Sequence, residues 1–137
     1  MDLTPLIPQG RQIVESYGDG RFRVTGKVFQ NSILIFPDRT VDWPLTDISA
    51  LTPESLASIA EAGEAGDLTL LLIGCGPRMT MIPQPLRASL RSKGVVIEAM
   101  DTGAACRTYN VLAAEGRKVA AALIAVEPKE SGATRAP

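Results

Sequence analysis

The segment Asp67-Leu68-Thr69-Leu70-Leu71-Leu72-Ile73-Gly74-Cys75-Gly76-Pro77 decides the fold class. The run Leu70 to Ile73 is too short for a helix and is closed by a glycine-containing loop, which reads as a strand buried on both faces. Such a strand needs a covering layer on each side. Upstream, Thr52-Pro53-Glu54-Ser55 supplies an N-cap candidate, a proline at the first helical position and an acid in the first turn. Leu56, Ile59 and Ala60 then recur on one helical face, and Gly63 and Gly66 are placed to end the helix. Downstream, Pro85 starts a second helix to about Lys93 with Gly94 as its stop, and Val95 to Glu98 is a further short strand. Asp101 or Thr102 caps a third helix, Ala104 to Glu115, closed by Gly116. Lys118 to Val126 is rich in alanine, but Gly116 and Pro128 leave room for only a short element, read as a strand. Helix and strand alternate three times, as in a parallel α/β layer.

The N-terminal third reads differently. Ile13 to Tyr17 is a short strand, and Gly18-Asp19-Gly20 is a turn. Phe22, Val24 and Val28 alternate with Arg23, Thr25 and Lys27, with Gly26 as a bulge or kink. Ser32 to Phe36 and Thr40 to Trp43 add two more strands, so the first 45 residues are expected to form an antiparallel meander. The chain then divides into an irregular arm at 1–10, a single α/β domain at 11–126 and a flexible tail at 127–137. Trp43, the only tryptophan, is expected in the core.

Composition excludes several chemistries. The 137 residues include no histidine, which rules out a Ser–His–Asp triad, a Cys–His dyad and His-ligated zinc. Two cysteines are too few for a zinc site, so neither metal nor cofactor is expected. The formal net charge of −1 disfavours a nucleic-acid partner. Charge is nonetheless uneven: residues 1–67 carry −5 and residues 68–137 carry +4. Arg78, Arg87, Arg91 and Lys93 form a local basic group, read as a solvated helix face or a shallow anion or partner patch. The longest apolar run, Val119 to Val126, is far below the ~20 residues of a membrane span. Met1 to Pro5 resembles neither a signal nor a transit peptide, so a cytoplasmic protein with free thiols is expected.

Two loops follow the two central strands, where ligands tend to bind in open α/β sheets. Gly74-Cys75-Gly76-Pro77 permits close backbone approach or positive φ, but it is neither a Walker loop nor a dinucleotide fingerprint. In the second, Asp101-Thr102-Gly103-Ala104-Ala105-Cys106-Arg107, a small-residue turn opens a helix whose N-terminus suits a carboxylate or phosphate, or only the Asp101 cap. Cys75 and Cys106 are expected to lie near one another. The helix start should lower the Cys106 pKa, although a buried inert thiol is the simpler reading and no histidine base is present. Arg107 and Asn110 share a helical face, and Arg107 is expected to pair with Asp101 or to bind an anion.

Four stretches carry a family resemblance: Tyr17-Gly18-Asp19-Gly20-Arg21-Phe22-Arg23-Val24, Ser32-Ile33-Leu34-Ile35 with Pro37, Gly74-Cys75-Gly76, and Met100-Asp101-Thr102-Gly103-Ala104-Ala105-Cys106-Arg107-Thr108-Tyr109-Asn110-Val111-Leu112. Over residues 11–126 the chain resembles a small, widespread family long labelled a domain of unknown function, which includes the mitochondrial respiratory complex I assembly factor 3. Where that family often has Gly-Thr-Gly, this chain has Cys75 in place of the threonine, which weakens a catalytic role for Cys75. The resemblance implies a three-layer α/β fold with a mixed central sheet, helices and an N-terminal antiparallel β layer. It also implies a non-enzymatic assembly factor for a membrane respiratory complex, with protein partners and at most a peripheral membrane location. The first alternative is a small-molecule or anion-binding domain using loops 74–77 and 101–107, with Gly74, Cys75, Gly76, Asp101, Thr102, Cys106, Arg107 and Asn110 as its residues. A weaker alternative is a thiol enzyme acting through Cys106.

Overall fold

In the computed structural model, which describes residues 11–127, two tight hairpins open the chain. The expected arm at 1–10 and the tail beyond 127 lie outside the described residues. Strands β1 (Val14–Gly18), β2 (Arg21–Val24) and β3 (Lys27–Phe29) form an antiparallel three-stranded sheet. Their two-residue turns are Asp19-Gly20 and Thr25-Gly26, with φ of 56°, 69°, 46° and 85°. Positive φ at both central residues matches the right-handed twist of the flanking strands. Gly26 is therefore a turn residue, not a bulge within one strand reaching Val28.

The next hairpin, β4 (Ile33–Ile35) and β5 (Thr40–Asp42), does not extend that meander. All three β4 residues are buried, so the strand needs cover on both faces. It finds that cover in a larger sheet with β6 (Leu70–Gly74), β7 (Val96–Met100) and β8 (Val119–Leu123), in the order β5-β4-β8-β6-β7. Strand β6 runs parallel to β7 and β8, while β4 runs antiparallel to β5 and β8. The alanine-rich segment is thus a strand, shorter than Lys118 to Val126, and it lies at the centre of the sheet.

Alternate residues of the large sheet face two separate cores. Leu71, Ile73, Ala120 and Ala122 pack with Trp43, Phe36, helix α1 (Ala57–Glu64) and helix α2 (Gln84–Arg91). Leu72, Val119, Ala121 and Leu123 pack with helix α3 (Thr102–Ala114) and with Phe22, Val24 and Phe29 of the small sheet. The result is a three-layer α/β fold with a mixed central sheet. Trp43 is buried, and its indole N–H donates to the Ser55 carbonyl at 2.8 Å. A 3₁₀ turn at Glu54–Leu56 precedes α1, so the expected helix starts later than Pro53.

Gly63 lies inside α1 and does not end it; Gly66, at φ 83°, follows the helix. A Cβ at Gly63 would strike Val95 Cγ2 and stand 2.7 Å from the Lys93 carbonyl oxygen. Alanine raises helix propensity by about 1 kcal/mol over glycine, yet a fixed backbone oxygen cannot swing aside as a side chain can. Gly63→Ala should therefore destabilise the fold by about 1–2 kcal/mol, read by urea unfolding on Trp43 fluorescence. An unchanged or higher midpoint would contradict the close approach.

Candidate functional site

The two glycine-containing loops do meet, and Thr102 joins them. Its side chain is fully buried. The Thr102 hydroxyl donates to the Ile124 carbonyl at 2.7 Å and accepts the Gly76 N–H at 2.9 Å. The Thr102 N–H donates to the Gly76 carbonyl at 2.8 Å, and the Cys75 N–H to the Met100 carbonyl at 2.8 Å. One hydroxyl thus ties together the chain leaving β6, β7 and β8. Gly74 allows the approach, because a Cβ there would stand 2.9 Å from Thr102 Cα and 3.0 Å from Leu123 Cδ2. Gly76 has φ 104°, which favours glycine for conformational reasons.

The start of α3 is also engaged internally. Asp101 caps it, accepting the Ala104 N–H at 2.9 Å, and the Asp101 carbonyl accepts the Ala105 N–H. Few backbone donors remain for an outside anion. Gly103 is where the Tyr17 hydroxyl packs, since a Cβ there would strike that oxygen and stand 3.0 Å from Cζ. Tyr17 belongs to a resemblance stretch but not to the candidate site residues, and no local pattern marks a contact spanning 86 positions. Asn110 clamps β1 to α3: its Oδ1 accepts the Val14 N–H at 2.9 Å and its Nδ2 donates to the Val14 carbonyl at 2.7 Å.

The remaining candidates separate. Cys75 belongs to the core on the α1 and α2 side and Cys106 to the core on the α3 side, so the sheet stands between the thiols. Cys75, Gly76 and Pro77 line a hollow of about 370 Å³, whereas Cys106, Arg107 and Asn110 line another of about 330 Å³ with β1. The two hollows share no residue, so Cys75 and Gly76 open on one and Cys106, Arg107 and Asn110 on the other. Arg107 is exposed and, among the described residues, forms no ion pair with Asp101 within 4.0 Å. A larger hollow, about 500 Å³, lies away from both loops, between α1 and the β4–β5 turn.

Desolvation governs both thiols. Burial pushes Cys106 up from its ordinary 9.0 to about 12; the Arg107 charge opposes this and the Asp101 charge adds to it. The expected lowering at the helix start does not occur, because the loss of water outweighs the nearby positive charge. Cys75 is likewise raised, chiefly by burial.

A fold of this architecture, with loops sealed by their own hydrogen bonds, is a structural class rather than a declared chemistry. Residues 14–124 match the family described as Protein of unknown function (DUF498/DUF598), and the chain belongs to that family. An uncharacterised protein of Rhodobacter capsulatus is 37% identical over 112 residues, covering 81% of this chain and 82% of its own. The NADH dehydrogenase [ubiquinone] 1 alpha subcomplex assembly factor 3 of Xenopus tropicalis is 29% identical over 111 residues, 81% of this chain. This chain spans about 60% of that longer protein. Among solved structures, a Bartonella henselae protein described as an outer membrane protein superposes with a TM-score of 0.80 at 37% identity, covering 88% of this chain and 99% of its own. The solution structure of a Bordetella pertussis Mth938-like domain gives 0.79 at 28% identity, covering 96% and 98%.

Thr102→Val keeps the shape but leaves the Ile124 carbonyl and the Gly76 N–H without their partner. It should cost about 1–3 kcal/mol in urea unfolding; a change within error would mean the junction is dispensable. Iodoacetamide near neutral pH should leave native Cys106 unmodified while consuming it readily in denaturant. Because the folded thiol keeps its proton to about 12 and the unfolded one to 9.0, its contribution to stability declines as pH rises through that window. Cys106→Ala should flatten that decline in unfolding midpoints, and fast native labelling near neutral pH would overturn the burial argument.

Proposed function

We propose that this protein is a non-enzymatic interaction factor that helps to assemble a membrane respiratory complex of the complex I type. The observation that carries this reading is the similarity to complex I assembly factor 3, which extends over 111 residues, 81% of this chain. The chemistry of the loops is in keeping with it. Their polar groups hold the fold together, and the two thiols are buried with raised pKa values. The protein acts as a folded surface at the cytoplasmic face of a bacterial membrane, attached through partners; no helix among the described residues is long and apolar enough to cross a membrane.

Deleting the gene in its host should lower membrane NADH:quinone oxidoreductase activity and leave soluble dehydrogenases unchanged. Native gels of the membranes should show partial assemblies in place of the full complex. Normal activity with a fully assembled complex would refute the proposal.

A further inference from the structure

The large sheet ends at β7, whose outer edge pairs with no strand among the described residues. Val96 N–H donates to the Thr69 carbonyl and Met100 C=O accepts the Cys75 N–H, so residues 96, 98 and 100 turn their backbone groups toward β6. Parallel pairing alternates, which turns those of Ile97 and Ala99 outward. Among the described residues, the Ile97 N–H and both backbone groups of Ala99 have no hydrogen-bond partner. The Ile97 carbonyl does have one: Arg87 of α2 reaches across and donates to it from Nη1 at 2.9 Å. Arg91 lies one turn further on the same flank of α2, and the helix contains no acid. Arg91 forms no ion pair among the described residues. On the other face of the edge stand Val96, 43% exposed, and the exposed Glu98.

We propose that this edge is a docking site for an extended acidic segment of a partner protein, added to β7 as a further strand. Four outward backbone groups at Ile97 and Ala99 supply the ladder, the mode by which peptides join open sheet edges. The flanking charges supply the choice of partner. Side chains of an incoming strand alternate between faces. Those on the α2 side meet Arg87 and Arg91, while those on the other side meet Val96 and Glu98. The fitting segment therefore alternates carboxylates with apolar residues. As it docks, the Ile97 carbonyl exchanges the guanidinium for a strand N–H, and Arg87 turns to the incoming carboxylate, a charge-assisted bond in place of a neutral acceptor. Until then Arg87 protects the edge against indiscriminate pairing. The proposal rests on the assembly reading only for the partner's identity; the edge itself is read from backbone direction and charge.

The test uses the full ¹⁵N-labelled chain and a blocked synthetic peptide of about eight residues, alternating Glu and Val, a length matched to a typical strand. The expected result is shift changes confined to β7 and α2, with the Ile97 and Ala99 amides becoming protected from hydrogen exchange. An alternating Lys and Val peptide, and a Glu and Val peptide of the same composition in two blocks, should bind at least about tenfold more weakly. Arg87→Glu should lose about tenfold in affinity for the acidic peptide. Arg87→Gln, which keeps a donor for the Ile97 carbonyl, should weaken binding in the same direction, and both variants are checked for an unchanged unfolding midpoint. No protection at Ile97 and Ala99, equal binding of the lysine peptide, or full affinity in both variants would overturn the proposal. Peptide binding by the purified chain alongside normal complex I in the deletion strain would keep the edge and retire the assembly reading. The converse pair of results would do the reverse.

Discussion

Strand β8 constrains everything around it. Val119 to Leu123 are all fully buried, with β4 on one side and β6 on the other. A strand covered on both faces requires two further layers, and small residues at its centre leave room for large ones to reach it. Ala120 and Ala122 share a core with Trp43 and Phe36, while Ala121 shares the other with Tyr109 and Phe22. The aromatic side chains are few, and the buried ones share these two cores with the alanine strand, where their area counts fully.

The three parallel strands β6, β7 and β8 end in a common knot. Ligand sites in open α/β sheets usually lie beyond the carboxyl ends of the parallel strands, at loops with free backbone donors. Here those donors are satisfied by the protein itself, through the Thr102 hydroxyl, the Asp101 carboxylate and paired backbone groups. The glycines that suggest a ligand cradle instead admit Thr102 and the Tyr17 hydroxyl. The two regions of densest sequence signal, near Tyr17 and near Asp101, are thus halves of one structural joint. An interior of this kind directs attention to the outside of the molecule. The side chains that remain available for recognition, such as Arg87 and Arg91, stand beside an open strand edge.

Much of this was legible in the chain. The run Leu70 to Ile73, the cap at Asp101 and the glycine stops at 66, 94 and 116 are local signals, and each corresponds to an element or its boundary. Cys106 is the buried, inert thiol of the simpler reading, but the expected lowering of its pKa failed on a competition that no local pattern resolves. The helix start favours a thiolate, burial opposes it, and burial prevails only because the small sheet and α3 close over the sulfur. The two loops do meet, but the expected closeness of Cys75 and Cys106 does not hold, since spacing in sequence does not say on which side of a sheet a side chain lies.

The sequence by itself determined the order of elements, the α/β class and the burial of Trp43, because periodicity, capping and turn chemistry act between residues a few positions apart. Only the tertiary structure decided that the β4–β5 hairpin leaves the meander to join the main sheet, that Tyr17 packs against Gly103, and that Arg87 caps the edge at Ile97. These depend on which strand finds cover on both faces and on which distant backbone comes within reach of a side chain. That choice is made by burial summed over the whole fold, and no short stretch of residues encodes it.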